Sequence, residues 1–157
     1  MTELTAGDLA PDFELPTDGE GNFSLAAMRG KSVVLYFYPK DDTPGCTTEA
    51  LDFSAAIEAF DAAGAVILGV SKDTVAKHDK FKAKRELKVI LGSDADSDVC
   101  ERYGVWVLKK MYGREYMGIE RATFLIDGEG VIRQVWRKVK VKNHVAEVLE
   151  ATKGLTG

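Results

Sequence analysis

The strongest candidate nucleophiles are the chain's two cysteines, Cys46 and Cys100. Cys46 stands in the run Tyr38-Pro39-Lys40-Asp41-Asp42-Thr43-Pro44-Gly45-Cys46-Thr47-Thr48-Glu49, where an apolar stretch gives way to an amphipathic one. Thr43 followed by Pro44 reads as a helix N-cap followed by proline at the first helical position. That register puts Cys46 in the first turn, where free amide N–H groups and the positive end of the helix dipole favour thiolate over thiol. Thr43 Oγ is then placed to donate a hydrogen bond to the sulfur or to an incoming oxygen. A free cysteine is more often a small buried hydrophobe. The neighbours Asp41, Asp42, Thr43, Thr47 and Thr48 are polar, however, and this favours a reactive thiol at Cys46.

The elements that must position this thiol alternate along the chain. Val33 to Tyr38 is a short continuous apolar run, as expected of a strand covered on both faces. Ala50, Phe53, Ile57 and Phe60 recur at helical spacing between Pro44 and Ala62, and Gly64 follows as a stop. Ala65 to Val70 reads as a second buried strand, Thr74 to Arg85 as a polar helix with Val75, His78 and Phe81 inward, and Val89 to Leu91 as a short strand. Ser97 to Tyr103 reads as a short helix ending at Gly104. Thr123 to Ile126 and Val131 to Trp136 flank Asp127-Gly128-Glu129-Gly130, a hairpin signal. Asn143 is placed to cap a last helix with Val145, Val148, Leu149 and Thr152 on one face and Gly154 beyond its end. Asp12 to Ser24, with Asp18-Gly19-Glu20-Gly21 in its middle, reads as an N-terminal hairpin. The order predicts an α/β class chain with a thioredoxin-like fold and an N-terminal β-hairpin extension, as a single domain over residues 1–157. The Cys46 segment follows the carboxyl end of a buried strand, where crevices form in open α/β sheets.

Composition removes several function classes. The 157 residues are 45% hydrophobic and 29% charged, with a net charge of −4, so no global positive field attracts nucleic acid or an anionic membrane. The densest basic stretch, Arg137, Lys138, Lys140 and Lys142, alternates with Val139 and Val141 and reads as the solvated face of a strand. Met1 to Leu9 carries acidic residues and neither a basic nor an apolar leader region, and no apolar run approaches the ~20 residues of a membrane span, so the expected compartment is the cytoplasm. Two cysteines are too few for a disulfide scaffold, and His78 and His144 add no zinc-like spacing, so neither a metal nor another cofactor is expected.

Pro39-x-x-x-Thr43-x-x-Cys46 resembles the active-site signature of the peroxiredoxins. The strings FYPKDDTPGCTTEA and GIERATFLID resemble the Q-type subfamily, also called bacterioferritin comigratory proteins. SLAAMRGKSVVLYFYPKD, ILGVSKD and SDADSDVCERYGVW fall in that subfamily's order, so the resemblance runs from about Thr5 to Thr152. It implies the peroxiredoxin architecture and a thiol peroxidase that reduces hydroperoxides. By the same resemblance Cys46 is the peroxidatic cysteine, Thr43 the hydroxyl that bonds sulfur and peroxide, and Pro39 the proline shielding the pocket. Arg121 is the arginine beside the thiolate, although by its own surroundings it reads as a surface charge preceding a strand. Glu49 matches the acidic position that holds that arginine, and Tyr38 is a supporting residue. The implied product at Cys46 is a sulfenic acid, which a thiol returns to the reduced form.

Many Q-type members carry a resolving cysteine five residues after the peroxidatic one, where this chain has Leu51, and others carry it in the following helix, where Val75 to Arg85 holds none. Cys100 is the remaining candidate. It reads either as a buried core thiol, the favoured reading, or as a resolving cysteine reached by local unfolding. The favoured reading gives a one-cysteine cycle with an external reductant, whether thioredoxin, glutaredoxin or a small thiol; the resemblance puts a monomer ahead of a dimer. Two other function classes are disfavoured. A disulfide exchanger uses Cys-x-x-Cys, but the residue three after Cys46 is Glu49, and a non-catalytic module would not keep Pro39, Thr43, Cys46 and Arg121 together. Trp106, Met111, Tyr112, Tyr116 and Met117 cluster before Arg121, and loop residues of this kind are expected to pack onto their own domain rather than to line a peroxide entrance or a partner surface.

Overall fold

A computed structural model describes residues 3–156; Met1 and Thr2, which open the stretch read as lacking a leader, and Gly157 lie outside it. Its centre is β3 (Ser32–Phe37), buried along its whole length. Val33, Leu35 and Phe37 point into one hydrophobic cluster and Val34, Tyr36 and the following Tyr38 into another, so strand alternation feeds two cores at once. Around β3 runs a seven-stranded mixed sheet in the order β2-β1-β5-β4-β3-β8-β9. β4 (Ala65–Ser71) pairs parallel with β3 and with β5 (Ile90–Ser93), while β8 (Ala122–Ile126) pairs antiparallel with β3 and with β9 (Ile132–Trp136). The expected N-terminal hairpin is β1 (Glu14–Thr17) and β2 (Gly21–Ser24), joined to the sheet through Thr17 opposite Gly92.

On one face the sheet is covered by α1 (Pro44–Ala55), α2 (Ile57–Ala62), α3 (Val75–Arg85) and α5 (His144–Thr156). On the other lie the N-terminal segment and the short α4 (Val99–Arg102). This is the thioredoxin-like arrangement with an N-terminal hairpin that the element order implied.

Four local expectations are corrected. The single helix over Pro44 to Ala62 is two, broken at Ala56, whose N–H is shared among the carbonyls of Asp52, Phe53 and Ser54. Phe53 and Phe60 stay buried together across the break, so the apolar spacing gave no sign of it. Gly154 does not stop α5, which runs on to Thr156. The basic run after Trp136 is not a strand, because β9 ends there and Lys138 takes φ 50°. Lastly, the segment before Arg121 is an antiparallel hairpin, β6 (Trp106–Met111) and β7 (Arg114–Ile119), rather than a loop. Its turn is Tyr112-Gly113, both at positive φ (52° and 76°), as a two-residue turn between twisted strands requires. Met111, Tyr112, Tyr116 and Met117 are exposed on it, Tyr112 at 97%, and only Trp106 of the cluster packs against the core.

Candidate active site

The site forms where β3 ends. Tyr38 continues the strand's inward alternation and is buried, and Pro39 follows it half-buried. The chain then turns through Lys40–Thr43 into α1. Thr43 is extended at the N-cap (φ −99°, ψ 157°), with proline in the first turn of the helix. Thr47 donates the first helical hydrogen bond, to the Thr43 carbonyl at 2.8 Å. The Gly45 and Cys46 amides therefore precede the helical ladder, and Cys46 sits at the positive helix end, 2% exposed.

Arg121 reaches the same place from a distant part of the sequence. Ala122, the first residue of β8, pairs with Phe37, the last of β3, so the residue before it stands beside the loop that β3 feeds. Its backbone is fixed on both sides, by Glu120 N–H to the Val105 carbonyl (2.7 Å) and Val139 N–H to the Arg121 carbonyl (3.0 Å). Its guanidinium then divides its donors. Nη2 points to Cys46 Sγ at 3.3 Å, and Nη1 donates to Glu49 Oε1 at 2.6 Å. A Cβ on Gly45 would lie 3.2 Å from Nη2, so the bare glycine lets the guanidinium close on the helix end.

Glu49, one turn along α1 from Cys46, is fully buried. Burial pushes its carboxyl up, against the opposing charge of Arg121, to about 7. Its second oxygen, Oε2, is buried and has no hydrogen-bond partner among the described residues. Arg121 is raised as well, which in its case favours the charged form: burial works against its charge, but Glu49 and Cys46 outweigh that and hold it above its ordinary value. The sulfur thus faces a permanent cation whose position is set by a carboxylate behind it.

The Thr43 hydroxyl departs from expectation. It donates to the Lys40 carbonyl at 2.9 Å, not to the sulfur. With that proton engaged, Oγ1 presents its lone pairs and can accept from a hydroperoxide O–H. Tyr38 donates its hydroxyl to Asp41 Oδ1 at 2.5 Å, and burial raises the phenol well above its usual range.

Cys100 is brought nowhere near this group. It is fully buried in the cluster on the opposite face of the sheet from Cys46. Its amide donates to Asp94 Oδ2 at 2.8 Å, and burial, reinforced by Asp94, pushes its thiol far up.

Two residues near the loop were not singled out as site residues from the sequence. Lys109 on β6 is half-buried, with its ammonium lowered by burial and by Arg121 and held up in part by Cys46. Its signal was lost with the unrecognised hairpin. Asp41, read only as a polar neighbour, meets His78 across 2.7 Å. Among the described residues no cluster of three or more His, Cys, Asp or Glu is placed to hold a metal ion. No helix among them is long and apolar enough to cross a membrane.

Known proteins resemble this chain in sequence and fold over most of its length. Residues 6–135 match the AhpC/TSA family. A putative peroxiredoxin bcp of Coxiella burnetii is 56% identical over 146 residues, 93% of this chain and 97% of that protein. Peroxiredoxin Bcp of Bacillus subtilis is 53% identical over 153 residues, 98% of each. Among solved structures, the bacterioferritin comigratory protein of Xanthomonas campestris, studied for alkyl peroxide reduction in trapped intermediate and ligand complexes, superposes with a TM-score of 0.88 at 48% identity over 92% of each chain. A Xylella fastidiosa PrxQ mutant superposes with a TM-score of 0.93 at 38% identity over 100% of each. With the family match, the fold and near-complete coverage in common, the chain belongs to the AhpC/TSA family and, within it, to the Q-type (Bcp) peroxiredoxins.

Proposed function

We propose that this chain is a thiol-dependent peroxidase that reduces hydrogen peroxide and organic hydroperoxides at Cys46 in a one-cysteine cycle. The observation that carries the reading is Arg121 Nη2 at 3.3 Å from Cys46 Sγ, at the start of α1. The Cys46 thiolate attacks the nearer peroxide oxygen in line with the O–O bond. As the S–O bond forms, the O–O bond breaks and the leaving oxygen takes the electron pair and then a proton from solvent water, departing as water or alcohol. Arg121 and the Cys46 amide stabilise the charge on that oxygen, and Thr43 Oγ1 accepts from the peroxide O–H and orients it. Arg121 stays charged and supplies no proton. Glu49 holds Arg121, while Pro39 and Tyr38 wall the loop.

Cys46 sulfenic acid is next attacked by an external thiol, forming a mixed disulfide and water. A second thiol then displaces the Cys46 thiolate and leaves as the oxidised reductant. Thioredoxin, glutaredoxin and a small thiol all fit this chemistry, and a reducing cytoplasm supplies them. A monomer, which the resemblance favours over a dimer, is sufficient for this scheme.

The two-cysteine alternative requires Cys100 to leave a fully buried site on the far face of the sheet, exposing the core around Val99, Tyr103 and Val105. Disulfide exchange is disfavoured because Glu49, at the position a second cysteine would occupy, is buried and committed to Arg121. Rapid mixing of reduced protein with hydrogen peroxide or an alkyl hydroperoxide tests the proposal. Fast oxidation that Cys46→Ser abolishes is expected; reaction at the pace of an ordinary free thiol would overturn it.

A further inference from the structure

The loop that carries Thr43 is tied to the sheet by a buried polar cluster that the peroxide chemistry does not use. Asp41 Oδ2 lies 2.7 Å from Nδ1 of His78 on α3, and His78 Nε2 lies 2.9 Å from the carbonyl of Gly92 on β5. Asp41 Oδ1 accepts the Tyr38 hydroxyl at 2.5 Å, and the Asp41 N–H donates to Asp73 Oδ2 at 2.7 Å. The His78 side chain is 0% and the Asp41 side chain 6% exposed.

Valence fixes the protons here. A carbonyl only accepts, so Nε2 carries a hydrogen. The 2.7 Å contact between Nδ1 and Oδ2 needs a second proton between two groups that would otherwise both be acceptors. The pair therefore holds one proton more than a carboxylate beside a neutral imidazole, and its net charge is zero. Without that proton the carboxylate, 6% exposed, loses its charge partner at 2.7 Å, a costly change for a group so nearly buried. It would act through the same aromatic pair as the sulfur: Asp41 accepts from Tyr38, the Tyr38 ring lies 5.6 Å from that of Tyr36, and the charges of Asp41 and Cys46 both bear on the Tyr36 phenol.

We propose that His78 is a positioning residue for the peroxidase reaction: it holds a proton against Asp41, so that the loop is fixed and no buried negative charge opposes the Cys46 thiolate. The inference rests on Cys46 being the reacting thiol. Other charged groups also face the pair. Asp73 receives the Asp41 amide, and Asp42 is taken up by Lys84 and Arg85. Lys40, Lys77 and Lys80 line the adjoining cavity of about 240 Å³. All of these remain in the variants below, so differences among the variants report on the pair itself.

The experiment compares His78→Gln, Asp41→Asn and the double variant by ultraviolet thiolate absorbance against pH and by rate with hydrogen peroxide at neutral pH. His78→Gln strands the Asp41 charge; its thiolate is expected to form at higher pH and its rate to fall about tenfold. Asp41→Asn keeps the acceptor for Tyr38 and leaves the cluster neutral, so it stays within roughly twofold of wild type, and the double variant recovers to within roughly threefold. An unchanged His78→Gln protein overturns the proposal. So does an Asp41→Asn or double variant as impaired as His78→Gln, which would mean a purely structural clasp. Should His78→Gln not fold, Asp41→Asn and the double variant decide by the same criteria. Cys46→Ser, measured alongside, must abolish the absorbance change; if it does not, the Cys46 reading fails and not the role of His78.

Discussion

Replacing Arg121 by lysine keeps the charge and removes the geometry. In the native site one guanidinium serves two partners at once, Glu49 Oε1 at 2.6 Å through Nη1 and Cys46 Sγ at 3.3 Å through Nη2. An ammonium is a point donor on a flexible stem and cannot span both. Glu49, fully buried and with its other oxygen already unpartnered, draws the lysine away from the sulfur. At 3.3 Å and an effective dielectric of about 20, a unit charge pair is worth about 5 kcal/mol before desolvation. Part of that acts equally on thiolate and transition state. The part that follows charge onto the leaving oxygen resembles an oxyanion donor, worth about 3–4 kcal/mol, or 10²–10³ in rate. Arg121→Lys is therefore expected to lower the second-order rate with hydrogen peroxide by about 100-fold, with little change in unfolding midpoint. Stopped-flow oxidation of reduced protein measures it. A lysine variant within about threefold of wild type would refute the claim that divided hydrogen bonding, rather than positive charge alone, activates Cys46.

Gly45→Ala places a Cβ 3.2 Å from Arg121 Nη2; the same assay should fall about tenfold, while helix propensity keeps the melting temperature level or higher. His144 Nε2 lies 2.8 Å from Thr123 Oγ1, and burial first, then Arg121, lowers its imidazole to about 4. The unfolded chain therefore binds a proton that the folded one refuses. This stabilisation is full above about pH 6.5 and is lost as pH falls towards 4, up to about 3 kcal/mol. Urea unfolding of wild type and His144→Gln across that range should show their stability difference changing with pH, and a constant difference would contradict it. Phe53 is fully buried, stacked on Tyr36 at 4.6 Å and against Phe60, so Phe53→Ala should cost about 3–5 kcal/mol in the same unfolding experiment.

What could be read before the structure follows from how local each signal is. β3 was legible because both of its faces are buried, leaving an unbroken apolar run. The start of α1, and with it the place of Cys46, was legible from Thr43-Pro44, since capping is decided by adjacent residues. Arg121 lies 75 residues from Cys46 and meets it only because β8 begins where β3 ends; resemblance, not local pattern, pointed to it. The same distance problem hid the Asp41–His78 pair, 37 residues apart. The β6–β7 hairpin was missed because most of its residues face solvent, which removes the alternation that marks a half-buried strand. The Thr43 hydroxyl was sent to the wrong acceptor because the Lys40 carbonyl is placed by the turn and not by residue type.

The most direct test of the central claim is intact mass and free-thiol count after one equivalent of hydrogen peroxide, on protein lacking any added reductant. With Cys46 as the only reacting thiol and Cys100 sealed behind the sheet, the expected product carries the mass of one added oxygen and keeps one thiol, that of Cys100. Loss of two hydrogens with no thiol remaining would contradict it, because Cys100 would then have left the core to resolve Cys46.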